Sequence, residues 1–275
     1  MKKKFIFGAL MALVAMGVVF ASCTNVDNPY NTTTPEGKYV MLQDSTVASF
    51  GDKRIINWEY DAKGRMAKET VDYYADDTSV HYVSTFTYSQ NMITREMVTS
   101  NGETDVAYFY LNSKGLVERY VWKLYGIDCG YEYDDDDRIM IYTDNDGGRV
   151  SVVWDNGDVV IESETKDDSD SHTAYYTSTD YEVNFPYMMP YLNPLDTALT
   201  PMGCFGKSSR HLISNYNYVY EANGHSVHCS NTCSYVVRNG LVMEFSVDVN
   251  EVVTTNGESE EISYIEHHYL TWEKQ

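Results

Sequence analysis

The sequence predicts an all-β protein, an antiparallel hairpin meander of about 14 to 16 strands forming a barrel or a strongly curved sheet. Three observations lead there. The first is composition: 24 of the 25 tyrosines lie from Tyr39 onward, and the whole chain holds only six prolines. Aromatic and β-branched residues suit a pleated, half-buried surface. The second is period. Large residues fall at every second position in Ile56, Trp58, Tyr60, in Val106, Tyr108, Tyr110, in Cys129, Tyr131, Tyr133 and in Val150, Val152, Trp154. That alternation gives each strand one buried and one wetter face.

The third observation is a degenerate repeat in which an aromatic ends a strand, a polar turn follows and an apolar strand begins. It runs as Tyr60-Asp61-Ala62-Lys63-Gly64-Arg65-Met66 and as Tyr110-Leu111-Asn112-Ser113-Lys114-Gly115-Leu116. It recurs from Tyr133 to Ile139, from Trp154 to Val159 and from Tyr220 to His225. From Tyr88 to Tyr110, Tyr133 and Trp154 the steps are 22, 23 and 21 residues, room for two strands and two turns, so the repeating unit is a hairpin. Asn156-Gly157 marks the tightest turn, because both residues tolerate positive φ.

The N-terminus carries an address. Lys2, Lys3 and Lys4 precede an uncharged run from Phe5 to Phe20, which closes on Ala21-Ser22-Cys23. Residues 1–22 read as a lipoprotein signal peptide, and Cys23 as the lipid-anchor residue. Phe20 stands where the lipobox usually has Leu; the other reading is an ordinary secretory signal with Cys23 an incidental thiol. Residues 23–38, rich in Asn, Thr and Pro, read as a lipidated flexible tether, and 39–275 as a single β domain. Loss of the three signal lysines leaves 17 Lys+Arg against 41 Asp+Glu, a net charge of about −24. Such a balance excludes nucleic acid as a partner, since phosphate binding rests on Lys and Arg.

One segment breaks the strand pattern. Between residues 185 and 210 fall Pro186, Pro190, Pro194 and Pro201, and proline cannot donate to a sheet ladder. The expectation is a long insertion, with a short helix near Leu192 to Leu199, covering one end or the concave face of the sheet.

Taken together, the chain resembles a family of gut Bacteroidota lipoproteins whose shared domain has a porin-like fold and no assigned function. The Cys23 lipobox, the Tyr-Asp-x-x-Gly-Arg hairpin at Tyr60 to Arg65, the insertion from Phe185 to Pro201 and the stretch Gly206 to Leu212 carry the resemblance. It implies a fold and an envelope location, with outer-membrane attachment through the N-terminal lipid, and brings no catalytic residue or cofactor. A lipid-spanning pore is not expected: Asn57, Glu59, Lys68, Glu132 and Arg149 occupy the faces opposite the aromatics, and charges in lipid cost several kcal/mol.

The remaining motifs weigh as follows. Gly206-Lys207-Ser208 lacks the earlier glycine of a phosphate loop, since Pro201 holds that position. An EF-hand over Asp144 to Gly147 would begin on Tyr142, which has no carboxylate. His225 and His228 point to opposite faces of a strand, so no metal is expected. Cys229 and Cys233 read as a tight hairpin with one cysteine on each side, open to a disulfide, to free thiols or to metal. Trp58, Trp122, Trp154 and Trp272 serve either as core or as a platform for stacking glycans. No cofactor is expected. The reading is an exported, membrane-anchored, non-enzymatic β domain that binds a small molecule, glycan or protein; the alternatives are a glycan-binding accessory lipoprotein and a hydrolase.

Overall fold

The computed structural model describes residues 39–75, 78–143, 148–167, 170–182, 199, 202–222 and 225–274. The strands are β1 (Tyr39–Ala48), β2 (Lys53–Tyr60), β3 (Met66–Ala75), β4 (Thr78–Tyr88), β5 (Met92–Thr99), β6 (Thr104–Leu111), β7 (Val117–Trp122) and β8 (Ile127–Tyr133). They continue as β9 (Ile139–Thr143), β10 (Arg149–Asp155), β11 (Asp158–Asp167), β12 (Asp170–Glu182), β13 (His211–Ala222), β14 (His225–Arg238), β15 (Leu241–Thr255) and β16 (Glu258–Lys274). Each pairs antiparallel with its sequence neighbours, and β16 returns to β1, closing a 16-strand barrel. The predicted meander is thus a closed barrel, with no free sheet edge among these strands.

The repeat acts at one end of this barrel. Asp61 accepts the backbone N–H groups of Lys63 and Arg65 at 2.8 and 3.0 Å, and Gly64 takes φ 71°. Asn112 repeats the turn with Lys114 and Leu116, and Asp134 with Asp136 and Arg138. The aromatics then clamp the hairpins. Tyr60 Oη donates to the Met41 carbonyl at 2.7 Å, Tyr88 to Met66 at 2.7 Å, Tyr133 to Val117 at 2.6 Å and Tyr235 to Ile213 at 2.6 Å. Trp154 and Trp272 donate Nε1 to Ile139 and Val242 at 2.7 and 2.8 Å. In every case the ring ends an even-numbered strand and the carbonyl lies near the start of the strand before it. Tyr110 departs from the expected pattern: its ring points outward, 37% exposed, and Leu111 packs against the core in its place.

A circular 16-strand barrel would enclose a water channel. Here most inward apolar residues join one large cluster, with Met66, Phe109, Val117 and Ile139 fully buried. The outer wall carries cross-strand ion pairs, Lys68–Glu59 and Arg119–Asp128 at 2.6 Å and Arg149–Glu132 at 3.4 Å.

The described part of the insertion covers the turn end. Val117 N donates to the Cys204 carbonyl at 2.8 Å, and Lys207 N to that of Asp137 at 2.9 Å. Arg210 N reaches Gly157 O at 2.9 Å, and Phe205 meets Tyr131 edge-on at 5.3 Å. The Gly206-Lys207-Ser208 run is therefore part of a strap across the turn end of the barrel. The helix expected near Leu192 to Leu199 lies outside the described residues, save Leu199, which is buried.

Gly206 sits at φ +85°, and a Cβ there would stand 2.2 Å from the Asp137 carbonyl oxygen. Gly206→Ala should therefore lower stability in urea unfolding by more than about 1 kcal/mol. Tyr133→Phe should cost about 1 kcal/mol, because it strands the Val117 carbonyl.

Candidate functional site

The barrel is uneven in height. Strands β5 to β10 run 5 to 8 residues, whereas β11 to β16 run 10 to 17. The tall wall rises on the side away from the strap, and its inward face changes character with height. Register lines up its side chains in rows. Lowest is Tyr235, Phe245 and His268; above it stand Cys233, Val247 and Glu266. Next comes Tyr176, Tyr216, Asn231, Val249 and Tyr264. Then follow Glu162, Ala174, Tyr218, Cys229, Glu251 and Ile262, and above them Glu164, His172, Tyr220, Val227, Val253 and Glu260. Exposure grows toward the top: Asn231 is 0% exposed and Ile262 39%.

Several polar groups elsewhere in the lumen are matched, although the buried Arg54 Nε on β2 has no hydrogen-bond partner among the described residues. Glu69 accepts from Trp58 Nε1 at 3.3 Å and Arg95 Nη2 at 3.2 Å, and Arg95 Nε donates to Ser84 at 2.9 Å. On the tall wall Glu162 accepts from the hydroxyls of Tyr142 and Tyr176, the latter at 2.8 Å. Burial outweighs those two donors and pushes the Glu162 carboxyl up to about 8. His268 stacks on Phe245 with centroids 3.9 Å apart. Its Nδ1 meets both Asp44 and Thr46 at 3.1 Å, while Nε2 lies 3.8 Å from Glu266. Burial depresses the His268 pKa, but Asp44 and Glu266 more than offset this and hold it above the usual value. Acid and hydroxyl share one ring nitrogen, so the cluster does not have the order of a Ser-His-Asp relay.

Asn231 and Glu251 differ from these. Neither amide atom of Asn231 has a hydrogen-bond partner among the described residues, and neither has Oε1 of Glu251, 4% exposed. The two occupy diagonal positions on neighbouring strands, close enough for one small group to touch both. Tyr216 stands opposite Asn231 and Tyr218 opposite Cys229. Burial raises the Glu251 pKa, and His225 partly offsets the shift. A buried polar group without a partner costs about 1–3 kcal/mol, so two side by side mark a place shaped for something other than stability.

Several predicted site residues are placed differently. Cys229 and Cys233 do not flank a hairpin: both lie in the continuous strand β14. Four residues along a strand span about 13 Å, beyond disulfide reach, and both cysteines, like Cys204, are free. Burial pushes the Cys229 and Cys233 thiols up to about 12. Trp58 and Trp122 are 4% and 2% exposed, and Trp154 and Trp272 pack against the same core. All four indoles face inward, so they form no external stacking platform. His225 faces the lumen and His228 lies on the outer face of β14, so the two cannot share an ion. Cys23 and Asp144 to Gly147 lie outside the described residues.

A shallow depression of about 220 Å³ lies on the outside of β14 to β16. Tyr269, 47% exposed, borders it with Glu244, His267 and the hydrogen-bonded pair Ser234 and Ser246, 2.8 Å apart.

No family model and no curated protein matches the chain. Among solved structures, a porin-like protein from Bacteroides uniformis is 15% identical, with a TM-score of 0.59 over 87% of this chain and 100% of that one. The likeness is one of fold. A second porin-like protein, from Bacteroides vulgatus, is 11% identical with a TM-score of 0.32, covering 84% of this chain and 99% of that chain.

Two measurements probe the lumen. Unfolded, Glu162 ionises near 4.5; folded, it keeps its proton to about 8. Its contribution to stability is complete below pH 4.5 and is lost as pH climbs through 8. Urea midpoints taken from pH 5 to 8.5 should fall, and Glu162→Gln should flatten that slope. Asn231→Leu should raise stability by roughly 1–2 kcal/mol, because it removes an unpaired amide at similar volume.

Proposed function

We propose that this protein is an envelope lipoprotein, tethered through lipid on Cys23, whose barrel binds a small polar ligand inside its tall wall without chemical turnover. The observation that carries the binding reading is the pair Asn231 and Glu251, two polar side chains that are buried, unpartnered and diagonal to each other on neighbouring strands. The signal run before Cys23 and the fold shared with a porin-like protein of Bacteroides support the location. The ion pairs on the outer wall and the apolar filling of the lumen favour a barrel standing in water beside the membrane rather than a channel through it.

The outer depression favours a second reading, glycan binding. An exposed tyrosine ring with a carboxylate, hydroxyls and an imidazole around it suits the apolar face and the hydroxyl edge of a sugar. Tyr269→Ala should then abolish retention on a glycan array.

Two tests address the leading reading. Cells fed labelled palmitate should label the wild-type chain, and Cys23→Ala should leave the protein unlabelled and in the soluble fraction. A thermal-shift screen of small polar compounds on the full chain in detergent should yield ligands that raise Tm for the wild type. Those same compounds should leave Asn231→Leu unmoved; equal shifts in both would place binding elsewhere.

A further inference from the structure

The charge around the unpartnered pair defines which ligand fits it. Lumen-facing carboxyls other than the protonated Glu162 surround the Asn231 row: Glu251 in the row above, Glu266 in the row below, and Glu164 and Glu260 nearer the open end of the tall wall. No lysine or arginine shares this face among the described side chains of those rows. The basic groups nearby are engaged: His172 lies 3.6 Å from Glu164, His225 2.9 Å from the Thr255 hydroxyl, and His268 against Asp44. Arg54 faces the lumen from β2, opposite Thr46, two rows below Asn231 and beside His268. Field lines from so many acids on low-dielectric walls converge on the lumen and draw cations inward.

The unpaired atoms sharpen the choice. Oε1 of Glu251 and Oδ1 of Asn231 both accept hydrogen bonds, while Nδ2 of Asn231 donates. A primary ammonium satisfies the two acceptors, and an oxygen beside it takes the remaining N–H. A quaternary ammonium could satisfy neither acceptor. A bare metal ion would meet no acceptor from Nδ2. The rings of Tyr216, Tyr218 and Tyr264 border the same spot and suit a cation over their faces. Tyr218 and Tyr264 are half-buried, so this side of the row borders the partly exposed upper wall.

Resting on the lumen-binding reading above, we propose that the ligand is an amino alcohol. Its ammonium would sit between Glu251 and Asn231, and its hydroxyl oxygen would accept from the Asn231 amide.

The test follows the Asn231 side-chain amide by NMR in the full chain, labelled with nitrogen-15 and held in detergent micelles. Asn231→Leu assigns the resonance by its disappearance. Ethanolamine is titrated against ethylene glycol, which lacks the charge, and n-propylamine, which lacks the hydroxyl. Ethanolamine should shift the Asn231 amide and bind about ten- to a hundred-fold more tightly than the glycol, the range of a charge-assisted hydrogen bond. Glu251→Gln, which keeps shape and removes charge, should weaken ethanolamine by at least about tenfold with the rest of the spectrum unchanged. If the glycol binds as tightly as ethanolamine, the ammonium assignment falls and lumen binding stands. If propylamine matches ethanolamine, the hydroxyl assignment falls. If no compound that raises Tm moves the Asn231 amide, both the assignment and the lumen reading fall.

Discussion

Six times around the barrel an aromatic ring at the end of one strand gives its O–H or N–H to a carbonyl near the start of the strand before it. Each clamp closes a hairpin at the end opposite its own loop. It also packs the ring against the core, so one residue supplies area, a hydrogen bond and register. A one-residue slip would turn that ring to the outside and leave the carbonyl stranded. Arginines from the turns add to the same layer: Arg65 lies 4.1 Å above the Tyr88 ring and Arg138 5.6 Å above Trp154, so each turn leans on the next hairpin's clamp. Val117 shows how the strap depends on this layer, because its carbonyl receives Tyr133 while its N–H reaches Cys204.

Fixing one end this firmly leaves the other free to vary. The short strands β5 to β10 stop soon after their rings are buried, and what they enclose is apolar with few polar intrusions. The tall strands β11 to β16 continue several rows beyond the clamp layer. Once the opposite wall has ended, their inward faces no longer meet an apolar partner, and tyrosine, glutamate and histidine replace valine and isoleucine. The long strands thus place a polar surface where it is only partly covered, above a core that does not need them.

Much of this was legible from residue order. Period-two alternation and the aromatic-turn-apolar unit specify hairpins and a meander, because both are local features that the final fold preserves. The limits are equally physical. Tyr110 and Leu111 both satisfy the repeat, and only packing against the core decides that the leucine faces inward. Cys229-Ser230-Asn231-Thr232-Cys233 has the small polar residues of a turn, yet pairs along most of its length with β13 and β15. Its inward members 229, 231 and 233 alternate with outward Ser230 and Thr232, which is a strand pattern written in turn residues. Glu162 and Glu251 lie about ninety positions apart, and no local pattern announces that register sets them in the same row.

Asn231 is where these threads meet. It occupies an inward position in the middle of a strand, fully covered, in a row with three tyrosines and a valine. A leucine or valine there would be the better choice for packing, and a serine could satisfy itself against its own backbone. Asparagine does neither: it brings a donor and an acceptor into a layer that leaves both unmatched, next to a carboxylate oxygen in the same condition. The clamps below make that tolerable, since stability gathered at the turn end offsets a cost of a few kcal/mol on the tall wall. A fold held by one reinforced layer can therefore keep an unstable polar patch elsewhere, and that separation of stable from functional rows is the physical basis for reading Asn231 and Glu251 as a binding site.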